Sequence, residues 1–266
     1  MFQKLRDRFL RSSNSGSGRR RDLRGTWPQA LASLAGAIFM ILVIRWAFFE
    51  PYVIPSGSMI PTLLVHDHIL VNKFSYGIRL PFSTSWLIRF GPPKRGDVIV
   101  FRSVEDDNVF VVKRVVGLPG DEIEIAEDGT LMINGEKVPT RRLSKEEVFQ
   151  VFSAWTEEMR DEYSDHYEFF EETLNGRSHV IIHSLRSSFH SRGPFKVPEG
   201  ELFMMGDNRE NSSDSRVWGT VSMSRVLGRA SIIWLSCEET LENLPGARPI
   251  CNPQSLRWKR MARAIK

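Results

Sequence analysis

The sequence predicts a mainly β protein: a body of short strands, preceded by one N-terminal transmembrane helix and interrupted by an insertion that carries a helix. Three observations predict this. A run of 23 residues with a single charge stands at 27–49. From residue 50 on, apolar residues come in short runs rich in Val, Ile and Phe, broken by Gly and Pro, which is the pattern of strands. Between 144 and 162 the apolar spacing turns helical.

Composition sets the outer bounds. Of 266 residues, 41% are hydrophobic and 19 are Gly, together about 48%, the ordinary globular share. Disorder and collagen-like structure are excluded, and the length suffices for a real core. Two Cys are too few for a disulfide scaffold, and there is no Cys/His quartet for a structural zinc. The net charge of +4 is unevenly spread. Residues 1–24 carry eight basic and two acidic groups, and the last ten add Arg257, Lys259, Arg260, Arg263 and Lys266. The folded body between them is acidic, so no nucleic-acid partner is expected.

The run from Trp27 to Phe49 makes a helix about 34 Å long, enough for a hydrocarbon core of roughly 30 Å. Thr26 suits the N-cap, and Pro28 falls in the first turn, where its missing N–H costs nothing. Trp27, Trp46 and Tyr52 stand where interfacial aromatics belong, and Arg45 can snorkel. The basic leader before the run and the acidic stretch after it put the N-terminus in the cytoplasm and the rest outside. A cleaved signal peptide also starts basic and apolar, but its run is shorter and ends at a small-x-small site. Here bulky Phe48, Phe49, Glu50, Pro51 and Tyr52 stand at that place, so a retained single-pass anchor in the cytoplasmic membrane is expected.

Along the body, strands are expected at His68–Lys73, Asp97–Arg102, Val109–Val116, Glu122–Ala126, Thr130–Ile133, Glu201–Met205 and Gly228–Leu235. Turn signals at 128–130 (DGT) and 134–136 (NGE) make 121–138 a hairpin or meander. Residues 79–96, rich in Pro and Gly, read as irregular. A helix over 144–162 carries Val148, Val151, Phe152, Trp155 and Met159 on one face, with Ser144 as its cap. Two more strands, 166–174 and 178–184, join at Asn175–Gly176.

Three segments carry chemistry. In Pro55-Ser56-Gly57-Ser58-Met59-Ile60-Pro61-Thr62, prolines and a glycine force an irregular backbone that can present a hydroxyl and aim N–H groups at one point; a plain turn would look the same. In 109–121, VFVVKRVVGLPGD, an extended strand puts Lys113 on one face and Arg114 on the other, both among apolar residues. Burial lowers a lysine pKa and makes a general base of it, whereas arginine needs a carboxylate or carbonyl partner. A lysine snorkelling from an edge strand is the competing reading. The third segment, GDNRENSSDSR at 206–216, directly follows a strand and offers carboxylates to pair Arg114, or is simply a solvated loop.

SGSMIPT, KRVVGLPGD and GDNRENSSDSR, in this order behind an N-terminal membrane helix, closely resemble the bacterial type I signal peptidases (leader peptidases). The resemblance covers roughly 45–125 and 200–235. It implies a serine endopeptidase with a Ser–Lys dyad, Ser58 as nucleophile and Lys113 as general base. Ser56 would add a hydroxyl to the oxyanion hole, Ser212 would orient Lys113, and Asp207, Asp214, Arg114 and Arg216 would form the supporting polar network. No cofactor and no metal are implied. Substrates would be exported preproteins cut after small-x-small sites, with the lipid bilayer as a second partner, touched by Phe74, Ile78 and Trp86. The family's antiparallel β catalytic domain with an inserted β-rich cap agrees with the strand pattern. The expected divisions are a basic N-terminus (1–26), the membrane helix (27–49), the core in two parts (50–139 and 199–236), the inserted cap (140–198) and a C-terminal extension (237–266).

Two other readings stand beside this one: an anchored Ser–Lys protease of another specificity, and a non-catalytic anchored binding module, which would have lost Ser58 or Lys113. His66 and His68 can reach a metal from one strand face but lack a third ligand. His179 and His183, four apart, lie about 13 Å apart in a strand and are expected at the surface. Cys237 and Cys251 either close a disulfide loop containing Pro245 and Gly246 or remain two thiols. The tail RWKRMARAIK either touches anionic lipid or is solvated.

Overall fold

The computed structural model describes residues 27–79, 86–155, 157–186, 192–241 and 250–266. The basic leader 1–26, and Pro245 and Gly246, lie outside the described residues. The chain divides into two compact units, Met1–Val43 and Ile44–Lys266.

Helix α1 spans Trp27–Ala47. Its side chains described through Ile41 are exposed and, apart from Gln29 and Ser33, apolar or small, with Leu31, Leu34, Phe39 and Ile41 among them. Among the described residues no helix is long and apolar enough to cross a membrane. The helix also stops short of the expected Phe49. Pro51 disfavours helical backbone at Glu50 and would clash with the carbonyl four residues before it. Phe49–Val53 instead forms strand β1, paired from Phe49↔Asn72 to Val53↔His68. As an edge strand, β1 tolerates Pro51.

In chain order the strands that follow are β2 (Asp67–Asn72), β3 (Gly77–Arg79), β4 (Trp86–Arg89), β5 (Val98–Arg102), β6 (Phe110–Gly117), β7 (Glu122–Ile125), β8 (Leu131–Ile133), β9 (Glu136–Lys137) and β10 (Thr140–Arg142). After the insertion helices come β11 (Tyr167–Leu174), β12 (Arg177–Ser184), β13 (Arg192–Lys196), β14 (Glu201–Met205), β15 (Val221–Ser222), β16 (Val226–Ser236) and β17 (Arg263–Ala264). The main sheet runs β1-β2-β16-β5-β6-β14-β15, with β17 added to β16. All its pairings are antiparallel. Smaller sheets are β13-β7-β8-β9, β10-β11-β12 and the β3–β4 hairpin. The region expected to be irregular, 79–96, thus contains a hairpin strand, while 80–85 lie outside the described residues.

Both faces of the main sheet are covered, which explains its unbroken apolar runs. Val98, Val100 and Val112 pack with Met59, Leu63, Ile233 and Ile265 on one face. Ile99, Phe101, Val111 and Val115 pack with Leu202, Met204 and Val226 on the other. The first 3-10 turn after Pro55, Gly57–Met59, is pinned by Met59, which is 1% exposed. Burying one such side chain stabilises the turn by about 1.5–3 kcal/mol.

The expected helix over 144–162 is two helices. Ser144 and Glu147 form a capping box on α2 (Lys145–Val151), a 3-10 turn follows at Phe152–Ala154, and α3 runs Glu157–His166. Phe152 and Trp155 are both drawn into a core with Ile60, Leu64, Phe169 and Ile182, and Trp155 takes extended backbone to reach it. The β11–β12 hairpin turns at Asn175–Gly176 with both residues at positive φ, as a two-residue turn matched to strand twist requires.

Cys237 and Cys251 are joined in a disulfide. The basic tail packs on the body at some positions and meets solvent at others: Arg260 is 2% exposed, Ile265 enters the core and β17 pairs with β16, while Trp258, Lys259, Arg263 and Lys266 are exposed.

Candidate active site

Ser58 sits in the Gly57–Met59 turn because two prolines and Gly57 deny this segment regular structure. Strand β6 brings Lys113 to it from 55 residues away, and the Lys113 Nζ donates to Ser58 Oγ at 2.6 Å. Lys113 is 3% exposed and, among the described residues, is in no ion pair. Burial is the main cause that lowers its pKa to about 8; Asp214 and Asp207 oppose the shift and Arg216 adds to it. At that value a substantial fraction is neutral near physiological pH, the state a general base needs. The Ser56 hydroxyl is 3.5 Å from Ser58 Oγ, at the limit of hydrogen-bond reach.

Arg114, on the opposite face of β6, is saturated. Its Nε and Nη2 donate to the two oxygens of Asp207 at 2.8 and 2.7 Å, and its Nη1 donates to the carbonyls of Gly96 and Lys266 at 2.9 and 3.0 Å. Burial alone would raise the Asp207 pKa; the Arg114 charge and hydrogen bonds outweigh it and hold the carboxyl below its usual range. Thr62 donates to Asp207 at 2.5 Å and accepts from Arg114 at 3.2 Å.

Asp214 organises the rest of the polar loop. It accepts from Arg216 Nε and Nη2 at 2.8 and 2.7 Å, from the Gly206 N–H at 3.0 Å and from the Ser212 hydroxyl at 2.7 Å. Ser212 therefore points its hydrogen bond at Asp214, whereas the resemblance led us to expect one to Lys113. It nevertheless lies close to the Ser58 turn, with Gly206 between them. A Cβ built on Gly206 would lie 2.3 Å from Ser212 Oγ and 2.5 Å from the Ser58 carbonyl oxygen, so only glycine fits between them.

All eight expected residues thus fall in one neighbourhood, in two linked clusters about β6. Sequence reasoning missed several neighbours. Gly206, Asn208 and Arg209 lay inside the polar run, and Thr62 inside the serine segment, without a feature to single them out. Glu172 gave no local signal: it is one acid in a strand, yet its buried carboxylate accepts from Arg209 at 2.6 Å. The two histidines of β12 are buried and not at the surface as expected. His179 lies 3.3 Å from Glu172, and His183 Nδ1 is 2.9 Å from Glu210, because β12 packs against the polar loop. His66 Nδ1 turns to the Glu238 carbonyl. Nitrogen and sulfur atoms of His68, Cys237 and Cys251 come within 4.8 Å of one another, with the two sulfurs bonded to each other.

A family model described as Signal peptidase, peptidase S26, matches residues 27–235. The chain belongs to the signal peptidase family. It is 44% identical over 220 residues to signal peptidase I of Pseudomonas fluorescens, covering 78% of this chain and 72% of the relative. The Pseudomonas aeruginosa enzyme is 40% identical over the same shares, and that of Rickettsia typhi 36% identical over 81% of this chain and 83% of its own. A solved signal peptidase I from Enterococcus faecalis is 29% identical and covers 52% of this chain and 97% of its own, at a TM-score of 0.30. As a member of the signal peptidase family, the chain is a serine endopeptidase, a hydrolase of peptide bonds. The mainly β, antiparallel architecture agrees with that assignment.

Proposed function

We propose that this signal peptidase removes N-terminal signal peptides from exported preproteins with a Ser58–Lys113 dyad, while anchored in the cytoplasmic membrane by the Trp27–Ala47 helix. One observation carries the reading: a buried lysine, in no ion pair among the described residues, 2.6 Å from a serine hydroxyl in an irregular turn.

Neutral Lys113 takes the Ser58 proton as Oγ attacks the carbonyl carbon at the end of the signal peptide. The carbonyl oxygen becomes an oxyanion, held by the Ser58 N–H and the Ser56 hydroxyl. The C–N bond then breaks, the Lys113 ammonium protonates the leaving amine, and the mature protein departs from an acyl-enzyme. Lys113, neutral again, deprotonates a water that attacks the ester and frees the signal peptide. Serine–lysine chemistry of this kind needs no histidine. Exposed Phe48, Phe49, Leu87, Ile88 and Phe90, with Phe74 ringed by Phe48 and Phe90, form an apolar surface suited to a bilayer on the outer side.

The test is cleavage of a preprotein in detergent across pH 6–10. The wild-type rate is expected to rise with pH to a plateau, with a midpoint near 8, because the neutral lysine is the active form. Ser58→Ala is expected to leave no cleavage above background. Turnover by Ser58→Ala, with the same products, overturns the dyad.

A further inference from the structure

Within the Ser58 turn the Ile60 N–H donates to the Gly57 carbonyl at 3.2 Å, and from the polar loop Asn208 adds two more bonds. Asn208, fully buried, donates its backbone N–H to the Ser58 carbonyl at 3.1 Å and its side-chain Nδ2 to the Gly57 carbonyl at 3.2 Å. These two carbonyls bracket the reactive serine. The Gly57–Ser58 peptide is planar and trans, so its N–H points away from its C=O. Fixing the Gly57 oxygen against Asn208 therefore fixes the Ser58 N–H on the opposite edge of the plane, facing away from the polar loop.

We infer that Asn208 is the positioning residue of the oxyanion hole: its side chain sets the tilt of the Gly57–Ser58 peptide and thereby aims the Ser58 N–H. This rests on the reading of Ser58 as nucleophile. The residue's own support is rigid. The Asp207 carbonyl accepts from Ile182 N at 3.0 Å, and Arg209 N donates to the Ile182 carbonyl at 3.1 Å, so β12 of the insertion grips both neighbours of Asn208. Buried ion pairs reinforce the grip through Arg114–Asp207 before it and Arg209–Glu172 after it. Asn208 is thus held on both flanks and presents its amide to the catalytic turn from a fixed frame. It touches neither reacting atom. Its effect passes through the backbone of Ser58, where a small rotation changes the distance from the N–H to the developing oxyanion and not the distance from Lys113 to Oγ.

The experiment compares wild type with Asn208→Ala and with Asn208→Leu, which keeps the branched outline of the side chain but lacks the donor. Both retain the backbone bond to Ser58, and folding is checked by thermal melting. Kinetics on a synthetic preprotein are expected to give a kcat lower by about 10- to 100-fold, below the full loss of one oxyanion donor, with KM within about twofold. The pH midpoint of the rate is expected to stay in place, since Lys113 is untouched. A peptide aldehyde, whose adduct with Ser58 carries the oxyanion, is expected to weaken in parallel with kcat, while a non-cleavable peptide binds as before. Unchanged kcat in both folded variants overturns the inference, as does loss confined to KM or a moved pH midpoint. If Asn208→Ala fails to fold, Asn208→Leu alone decides. Failure of the dyad itself reads differently: Ser58→Ala would remain active, whatever Asn208 does.

Discussion

Lys113 and Arg114 follow one another on β6 and are both withdrawn from water, at 3% and 2% exposure, yet on opposite faces of the strand they meet opposite surroundings. Arg114 has two carboxylate oxygens, two carbonyls and a hydroxyl around its guanidinium. Lys113 donates one hydrogen bond, to a serine hydroxyl. A buried cation surrounded by acceptors keeps its charge and fixes the architecture. A buried cation left with a neutral neighbour is pushed toward losing its proton at a pH the enzyme meets. The difference between scaffold and chemistry is made by the partners and not by burial, which the two side chains share.

The strongest way to break this comparison is to make Lys113 resemble its neighbour. Lys113→Arg keeps the positive charge but cannot deprotonate, so preprotein cleavage is expected to fall by at least about 1,000-fold in a folded protein, within the range attributed to general bases. Near-wild-type turnover would remove Lys113 as the base. The converse change strips Arg114 of its partner. Asp207→Leu leaves a guanidinium buried without a counter-charge and is expected to cost about 3–5 kcal/mol in urea unfolding; an unmoved midpoint would make the ion pair ornamental.

Lys113→Met sharpens the contrast further. The folded pKa of about 8 lies below the ordinary 10.5, so between those values the unfolded chain binds more protons and wild-type stability rises with pH. Below the folded value the charged amine costs the full difference, about 3 kcal/mol, since each unit is worth about 1.4. Lys113→Met is therefore expected to be inactive yet about 2 kcal/mol more stable than wild type at pH 7, after allowing for the lost hydrogen bond to Ser58. That advantage should vanish near pH 10.5. Urea midpoints at the two pH values check it. The smallest effect belongs to Ser212→Ala. It removes one of the five donors to Asp214 among the described residues and is expected to lower stability by about 1 kcal/mol and cleavage by less than tenfold. A loss as large as that of Lys113→Arg would place Ser212 in the proton transfer itself.

Much of this was legible beforehand where local rules govern. Apolar runs predict strands at 109–116, 201–205 and 228–235, which the structure forms at 110–117, 201–205 and 226–236, and Asn-Gly pairs that accept positive φ predict the turns at 134–136 and 175–176. The two faces of β6 followed from the period of two, which set Lys113 and Arg114 apart. What sequence left hidden depends on distant pairing. Phe49 was assigned to the helix because nothing local announces that 49–53 pairs with β2. The break at 152–155 comes from a tertiary core that claims Trp155. The hydrogen bond of Ser212 was assigned to Lys113, but the loop turns it toward Asp214, two residues on. The buried histidines of β12 were placed at the surface because strand spacing says nothing of what a face packs against.

The tail bears on how the enzyme comes into being. Arg114 receives a main-chain oxygen from Lys266, 152 residues along the chain, while Asp207 is 93 residues away and Ser58 is 55 residues from its lysine. Contacts of such long sequence separation form late, because loop closure must be overcome before they can stabilise anything. A partly folded chain contains the serine and the lysine but no enzyme, so peptidase activity is a report on completed folding.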